Sequence, residues 1–242
     1  MYWNEIHRDN RYCLNTAHKA VQSFIEEARY DLDVHNREPH ILESGVGTGR
    51  NVKHALCVFG EKGTITATDI CTEVVEKLVE EQIHAVVRDM RDSPVGSDTI
   101  THAISWRALH CLDAKGREET LDEKRRVLQP HANLLLAVRS QADSYFGLGD
   151  STEPGTFTVV IQKHMPFGHI FHGEYDPHPW HFYSSEELYH ELEQHGFSVQ
   201  AISQCAELPG SFKYSSLQHR YWVVKAERNR QNLLWTGVSL IK

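Results

Sequence analysis

The chain has 242 residues, of which 40% are hydrophobic and 10% aromatic, which is enough for one α/β domain with a sizeable core. Its formal net charge of −8 argues against a nucleic-acid backbone as the main partner, because such binding draws on clustered Lys and Arg. The basic run Lys124-Arg125-Arg126 follows acids on a predicted helix, so we interpret it as a solvated helix face.

The cysteines and the hydropathy pattern indicate the compartment. The five cysteines include no C-x-x-C pair, which predicts free thiols in a reducing environment. The first residues lack the basic and apolar regions of a signal peptide, and no uncharged apolar run is long enough to cross a bilayer. We therefore expect a soluble cytoplasmic protein without a membrane partner.

The first 37 residues combine an aromatic-polar start with a helix. Ala20, Val21, Phe24, Ile25 and Ala28 recur at three- and four-residue spacing, which predicts an amphipathic helix. The segment before it includes Tyr12 and is typical of a lid over a pocket. Simple packing of a terminus explains the same composition.

The stretch 41–51 predicts a buried strand that turns sharply into a helix. Gly45, Gly47 and Gly49 alternate after the acid Glu43, and glycine lets backbone approach a ligand closely. A dinucleotide fingerprint requires a small residue where this chain has Arg50. A carboxylate also repels a diphosphate but suits a cation.

These residues resemble the first motif of the class I S-adenosylmethionine (SAM) dependent methyltransferases, an acid followed by G-x-G-x-G. In that family the acid at the position of Glu43 lies near the methionine amino group. The resemblance implies that Ser44 and Asn51 join Glu43 and the three glycines in binding the cofactor.

Two further acids end the next predicted strands. Asp69 follows the β-branched run 64–68, and its two carboxylate oxygens suit the vicinal hydroxyls of a ribose; capping the next helix is the alternative. The resemblance implies that Ile70 belongs to the same site. It also implies that Asp89 and Met90, after a strand beginning at Ile83, contact the adenine, although a surface turn also favours Asp.

The segment 97–112 resembles the fourth motif of the family. The resemblance places Ser105 and Trp106 at the methionine end of SAM and His110 beside the transfer site. A basic helix over 118–127 leads to Leu128-Gln129-Pro130-His131-Ala132, which is similar to the family's L-x-P-G-G entry into strand five. His131 and Ala132 replace the two glycines of that turn.

Residues 139–182 leave the regular βα rhythm and are rich in aromatic residues and histidines, which indicates a binding insertion. The nearest resemblance is to methyltransferases of the tellurite-resistance type, on Arg139-Ser140 and on the run from His181 to Leu188. We interpret the histidines as pocket-lining and predict no metal, because they lack a cysteine partner. The candidates for acceptor recognition are Tyr12, Arg139, His172, Trp180, His181 and Phe182.

Together these patterns predict a single Rossmann-like methyltransferase domain over 1–242, with a seven-stranded, mostly parallel sheet whose last strand is antiparallel. Residues 1–37 form its lid, 139–182 its substrate insertion, and 227–242 a tail that packs on the domain or on a second subunit of a homodimer. The expected activity is methyl transfer from SAM to N, O, S or another chalcogen of a small molecule, with His110 as the base for a protonated nucleophile. The alternatives are a SAM-binding regulatory subunit without turnover, an aminopropyl-type transferase and a dehydrogenase.

Overall fold

The computed structural model describes residues 16–35, 37–60, 62–159, 178–207 and 219–229. Within these ranges the helices are α1 (Lys19–Val34), α2 (Arg50–Phe59), α3 (Thr72–Glu80), α4 (Ala114–Val127) and α5 (Ser185–Gln194), with a 3₁₀ turn at Leu109–Cys111. The strands are β1 (His40–Ser44), β2 (Thr64–Asp69), β3 (Ala85–Val87), β4 (Ile100–Trp106), β5 (Leu128–Arg139), β6 (Asp150–Glu153), β7 (Thr156–Val159), β8 (His178–His181), β9 (Phe197–Glu207) and β10 (His219–Arg228).

Seven strands form the main sheet in the order β3-β2-β1-β4-β5-β10-β9. Strand β1 pairs in parallel with β2 and β4, β4 pairs in parallel with β5, and β10 is antiparallel to both of its neighbours. The predicted seven-stranded sheet with an antiparallel last strand is confirmed. The strand order reverses between β1 and β4, which is where doubly wound sheets bind ligands, at the carboxyl ends of the strands.

Burial explains why these segments form their elements. All seven residues of β4 are buried, as expected for a parallel strand covered on both faces. The predicted stripe of α1 is buried at Val21, Phe24, Ile25 and Ala28 and packs in one core with the first strands and α2. A second core lies on the other side of the strands, under α4 and α5.

Some predicted boundaries are wrong by several residues. The helix expected from Glu118 begins at Ala114, because the carboxylate of Asp113 caps it by accepting from the Gly116 amide at 2.8 Å. Helix α3 ends at Glu80, and Gln82 just after it has a left-handed φ of 63°. Strand β3 ends at Val87, so Asp89 and Met90 lie in the loop that follows.

The predicted turn at His131 and Ala132 is instead part of β5. Ile100 of β4 faces Leu128, whereas His102 already faces Asn133, so β5 carries extra residues opposite β4. His131 has φ of 65° at the position where the resembled family has glycine, and its Nδ1 lies 2.7 Å from Glu227 Oε1. This contact with β10 anchors a residue whose conformation most side chains disfavour.

The insertion contains a three-stranded antiparallel sheet in the order β6-β7-β8, which the sequence pattern did not predict. Each of these strands has only four residues, so none of them shows a convincing period. Helix α5 follows and begins at a capping box formed by Ser184 and Glu187. In the described ranges, no helix is long and apolar enough to span a bilayer.

Candidate functional site

The glycine turn after β1 lies at the switch point of the sheet. Gly45 has φ of 72°, and a Cβ at this position would lie 2.5 Å from the Cβ of Ala108 and 3.5 Å from the Met90 methyl group. Gly49 has φ of 74°, and a Cβ at this position would lie 2.4 Å from Cδ2 of Leu78 in α3. Side chains at these two glycines would therefore both strain the backbone and close the space between the turn and its neighbours.

Asp69 ties the end of β2 to this turn. Its Oδ2 accepts a hydrogen bond from the Gly47 amide at 2.9 Å, and its Oδ1 accepts one from the Cys71 amide at 3.0 Å. The alternative role of Asp69 as the cap of α3 is wrong, because Cys71 occupies the N-cap position and no side chain caps this helix. Each carboxylate oxygen has a second lone pair, so these bonds leave acceptor capacity for a ligand hydroxyl.

Glu43 is a buried carboxyl with half of its hydrogen-bonding capacity unused. Its side chain is 1% exposed, and its Oε1 accepts from Asn51 Nδ2 at 2.7 Å. Among the described residues, neither Glu43 Oε2 nor Asn51 Oδ1 has a hydrogen-bond partner. Burial raises the pKa of Glu43 to about 8. Such a pair of buried acceptors is costly unless a donor or cation binds there.

Met90 lies against the glycine turn, while Ile70 and Asp89 follow the ends of β2 and β3. Asp89 accepts from Arg91 Nε at 2.9 Å and from Arg91 Nη2 at 2.7 Å, and this fork lowers the pKa of Asp89. Ile70 is 60% exposed although it directly follows a buried strand. An apolar side chain in this position is suited to pack on a planar ligand.

The carboxyl end of β4 brings Ser105, Trp106 and His110 to the same edge of the sheet. Ser105 is fully buried, and neither its Oγ nor Trp106 Nε1 has a partner among the described residues. The ring of His110 is 3% exposed and lies 6.5 Å from the ring of Tyr221. Its role as a base stays a prediction.

The structure brings Arg139 together with aromatic residues of the insertion, and these side chains contact one another instead of facing an open pocket. Arg139 Nη1 donates to Asp143 Oδ2 at 2.9 Å, and the guanidinium carbon lies 4.0 Å from the centre of the Trp180 ring. The rings of Tyr145 and Phe182 lie at 5.6 Å and 5.8 Å from the same carbon. This arrangement is an aromatic cage around a paired cation.

His181 is 1% exposed and bonded at both ring nitrogens. Its Nδ1 lies 2.7 Å from Thr156 Oγ1, and its Nε2 lies 2.8 Å from Glu187 Oε1. Tyr12 and His172, the other two candidates for acceptor recognition, lie outside the described residues. Acceptor recognition by this group of residues stays a prediction.

The interpretation of Lys124-Arg125-Arg126 as a solvated face is wrong for Lys124. Its side chain is fully buried, and its Nζ donates to Ser44 Oγ at 2.6 Å. Lys124 lies one helical turn after the buried Leu121 and one turn before the buried Val127, which is the signal that the sequence offered. Sequence reasoning also missed Ala108, which faces Gly45, and Arg91, which engages Asp89.

Comparison with known proteins agrees with this geometry. Residues 41–131, from β1 into β5, match the family model of a methyltransferase domain. A SAM-dependent methyltransferase from Methanosarcina mazei superimposes with a TM-score of 0.63 at 18% identity, covering 82% of this chain and 98% of that one. One from Clostridium acetobutylicum gives 0.60 at 12% identity and covers 93% and 97%.

A third solved structure contains both ligands of its reaction. It is the Burkholderia thailandensis 1,6-didemethyltoxoflavin-N1-methyltransferase with bound 1,6-didemethyltoxoflavin and S-adenosylhomocysteine, with a TM-score of 0.55 at 15% identity and coverage of 86% and 79%. No curated relative matches the chain by sequence. The match over 41–131 identifies a methyltransferase domain in this part of the chain, and the overall fold is the one shared by solved SAM-dependent methyltransferases.

Proposed function

We propose that this enzyme transfers the methyl group of SAM to a nucleophilic N, O or S atom of a small molecule. The observation that carries the cofactor part is the pair of buried acceptors at Glu43 Oε2 and Asn51 Oδ1. The methionine end of SAM carries an ammonium group, which supplies the donors that these two oxygens lack. Asp69 is the proposed acceptor for the ribose hydroxyls, and Ile70 and Met90 the surfaces for the adenine.

Asp89 fits an adenine amino group only as a shared acceptor. Its two oxygens already accept the fork of Arg91, so the amino group would use the remaining lone pairs. Ser105, Trp106 and the glycines complete the proposed cofactor set. The bound cofactor supplies an activated methyl group on a sulfonium, so the protein mainly has to orient the acceptor and exclude water.

The proposal of a small-molecule acceptor rests on the part of the insertion that packs near the carboxyl end of β4. Trp180 and Phe182 of the insertion pack in one apolar cluster with Cys111, next to His110. An insertion packed over the transfer side favours an acceptor that is enclosed rather than a macromolecular surface. The net charge of −8 further disfavours nucleic acid. The toxoflavin precursor in the Burkholderia enzyme is an example of such an acceptor on the same fold.

For a nitrogen or oxygen nucleophile, His110 is the proposed base, because imidazole accepts a proton near neutral pH. A thiol or chalcogen anion needs little such help. We also propose that no metal takes part; turnover should then survive EDTA and phenanthroline, and restoration of lost activity by one added metal would contradict this.

The experiment combines binding with turnover. S-adenosylhomocysteine binding is measured by calorimetry, and its release from SAM is measured with a panel of small amines, phenols, thiols and carboxylates. Binding without release for every acceptor leaves the small-molecule proposal unsupported. Release that depends on a protein or RNA acceptor contradicts it.

A further inference from the structure

Lys124 is a charged residue inside the fold that the proposed chemistry does not use. It lies on α4 with its side chain fully buried, and its Nζ donates to Ser44 Oγ at 2.6 Å. Lys124 forms no ion pair with any residue that the structure describes. The two acids whose fields favour its charge, Glu123 and Asp89, are bonded to Arg126 and Arg91 respectively.

Stability alone does not account for a lysine at this position. Taking an ammonium group out of water without a counter-ion costs free energy, and a buried apolar side chain of similar volume is usually at least as stable. The cost is visible in the titration of the group, because burial lowers the pKa of Lys124 to about 8. The neighbours of Lys124 on the buried face of α4 include the apolar residues Leu121 and Val127, which carry no such cost.

The hydrogen-bond partner of Lys124, Ser44, lies where β1 ends and the glycine turn begins. Ser44 is the last residue of β1, and the next two amides, of Gly45 and Val46, both donate to the Thr68 carbonyl at 2.8 Å and 3.0 Å. Gly45 has no room for a Cβ beside Ala108. A shift of Ser44 would therefore move both Glu43 and the start of the glycine turn. The turn has no space for such a shift, because it already contacts Thr68 and Ala108.

We propose that Lys124 is a positioning residue for the cofactor, which it serves through Ser44 by fixing the point where β1 ends and the glycine turn begins. Lys124 does not touch the cofactor in this scheme. The inference rests on the proposed placement of SAM at Glu43 and the glycine turn. It extends the cofactor site to a helix residue far from it in sequence.

The first test is Lys124→Met, which keeps the length of the side chain and removes the charge. Its Kd for S-adenosylhomocysteine is measured by calorimetry and its Tm by circular dichroism. We expect binding weaker by about tenfold, the usual effect of losing a hydrogen bond from a charged donor, with a Tm that stays the same or rises. The matched control is Lys115→Met on the same helix, whose side chain is 82% exposed and which should change neither quantity.

The outcomes separate this inference from the proposed function. A wild-type protein that does not bind S-adenosylhomocysteine overturns the proposed function and this inference with it. Wild-type binding that Lys124→Met leaves unchanged overturns this inference alone. If Lys124→Met does not fold, Ser44→Ala decides, since it removes the same hydrogen bond with a smaller change and should also weaken binding. Unchanged binding in Ser44→Ala also overturns this inference.

Two more measurements exclude a merely structural role. Lys124→Met and Ser44→Ala break the same hydrogen bond, so the double variant should bind as well as the single variant with the lower affinity. Losses of binding free energy that add up in the double variant overturn the proposal. In the wild type, loss of the Lys124 proton above about pH 8 should weaken binding. Among the groups around it, Glu123, Asp89 and Arg126 keep their charge in this range. Glu43, next to Ser44, ionises near the same pH, but its ionisation strengthens binding and occurs in both the wild type and Lys124→Met. A Lys124→Met protein that shows the same alkaline weakening contradicts the assignment.

Discussion

The two halves of the site differ in how their polar groups are satisfied. At the glycine turn, buried acceptors such as Glu43 Oε2 and Asn51 Oδ1 lack partners among the described residues. In the insertion, the charge of Arg139 is paired with Asp143 and His181 is bonded at both ring nitrogens, while the N–H groups at Arg139 Nε and Trp180 Nε1 lack partners among the described residues. A buried carboxyl oxygen without a donor costs more than an unpaired N–H group, so the glycine turn is the better candidate for a ligand site. The charged groups of the insertion already have partners, which favours a structural role.

This comparison changes the interpretation of the insertion. Its cationic and aromatic residues suggested acceptor recognition, yet four of the six candidates are buried, at 9% exposure or less, against one another. We now expect Arg139, Trp180, His181 and Phe182 to act mainly by holding the small sheet β6-β7-β8 over the end of β5.

Arg139→Ala should lower the free energy of unfolding by about 3–5 kcal/mol, because it leaves the Asp143 carboxylate buried without its cation. Urea denaturation measures this loss. Arg29→Ala is the control, since its pair with Asp33 is solvent-exposed and worth at most about 1 kcal/mol. A stable Arg139→Ala protein that loses only acceptor kcat/KM would return Arg139 to direct acceptor recognition.

Asp69→Ala should weaken SAM and S-adenosylhomocysteine by about 2–4 kcal/mol, the value of a charge-assisted pair of hydrogen bonds. Calorimetry on the folded variant measures it. Asp92→Ala serves as the control, because its side chain is 81% exposed. Unchanged affinity in Asp69→Ala would move the ribose contact elsewhere and leave Asp69 only its bonds to Gly47 and Cys71.

The pH dependence of binding should report on Glu43. Its folded pKa of about 8 lies above the ordinary 4.5, so the free protein holds this proton near pH 7 and must release it to bind an ammonium group. Affinity should therefore increase by up to about tenfold per pH unit from pH 6 toward 8. Calorimetry in buffers of different ionisation enthalpy counts the released proton, and Glu43→Gln should abolish both effects.

The same raised pKa fixes the sign of a stability effect. The folded state binds more protons at Glu43 than the unfolded state between the two pKa values, so the contribution of Glu43 to stability falls as pH rises from about 4.5 to 8. Glu43→Gln lacks this titration. Its stability relative to wild type should thus increase with pH over this window, and a constant difference would contradict burial of a protonated carboxyl.

His181→Ala should have the smallest effect, a loss of about 1–2 kcal/mol in the free energy of unfolding, as two buried hydrogen bonds are broken. Its effect on acceptor kcat/KM should appear only as the insertion loosens and should shrink at lower temperature. His190→Ala on the exposed face of α5 is the control. A large loss of kcat/KM at unchanged stability would show that His181 contacts the acceptor.

The sequence predicted the fold and the glycine turn because both are encoded locally. The acid and three glycines of 41–51 form one strand-turn-helix unit, and Asp69 ends the next strand of the same βαβ unit. The hydrogen-bond partners of the site side chains could not be predicted, because these partners are distant in the sequence. Lys124 meets Ser44 across 80 residues, and Thr156 meets His181 across 25. A pattern identifies chemically capable residues, whereas only the structure tells which of them are already engaged.

The position of β10 in the sheet has a consequence for how the protein is made. Strand β5 ends at Arg139. In the described part of the chain, its second edge pairs with β10, which begins at His219 and also pairs with β9. During synthesis, one edge of β5 therefore stays unpaired until β10 has emerged from the ribosome. Unpaired strand edges pair readily with other chains. Nascent or truncated chains that stop between β9 and β10 should depend on chaperones, even though their whole glycine turn has already been made.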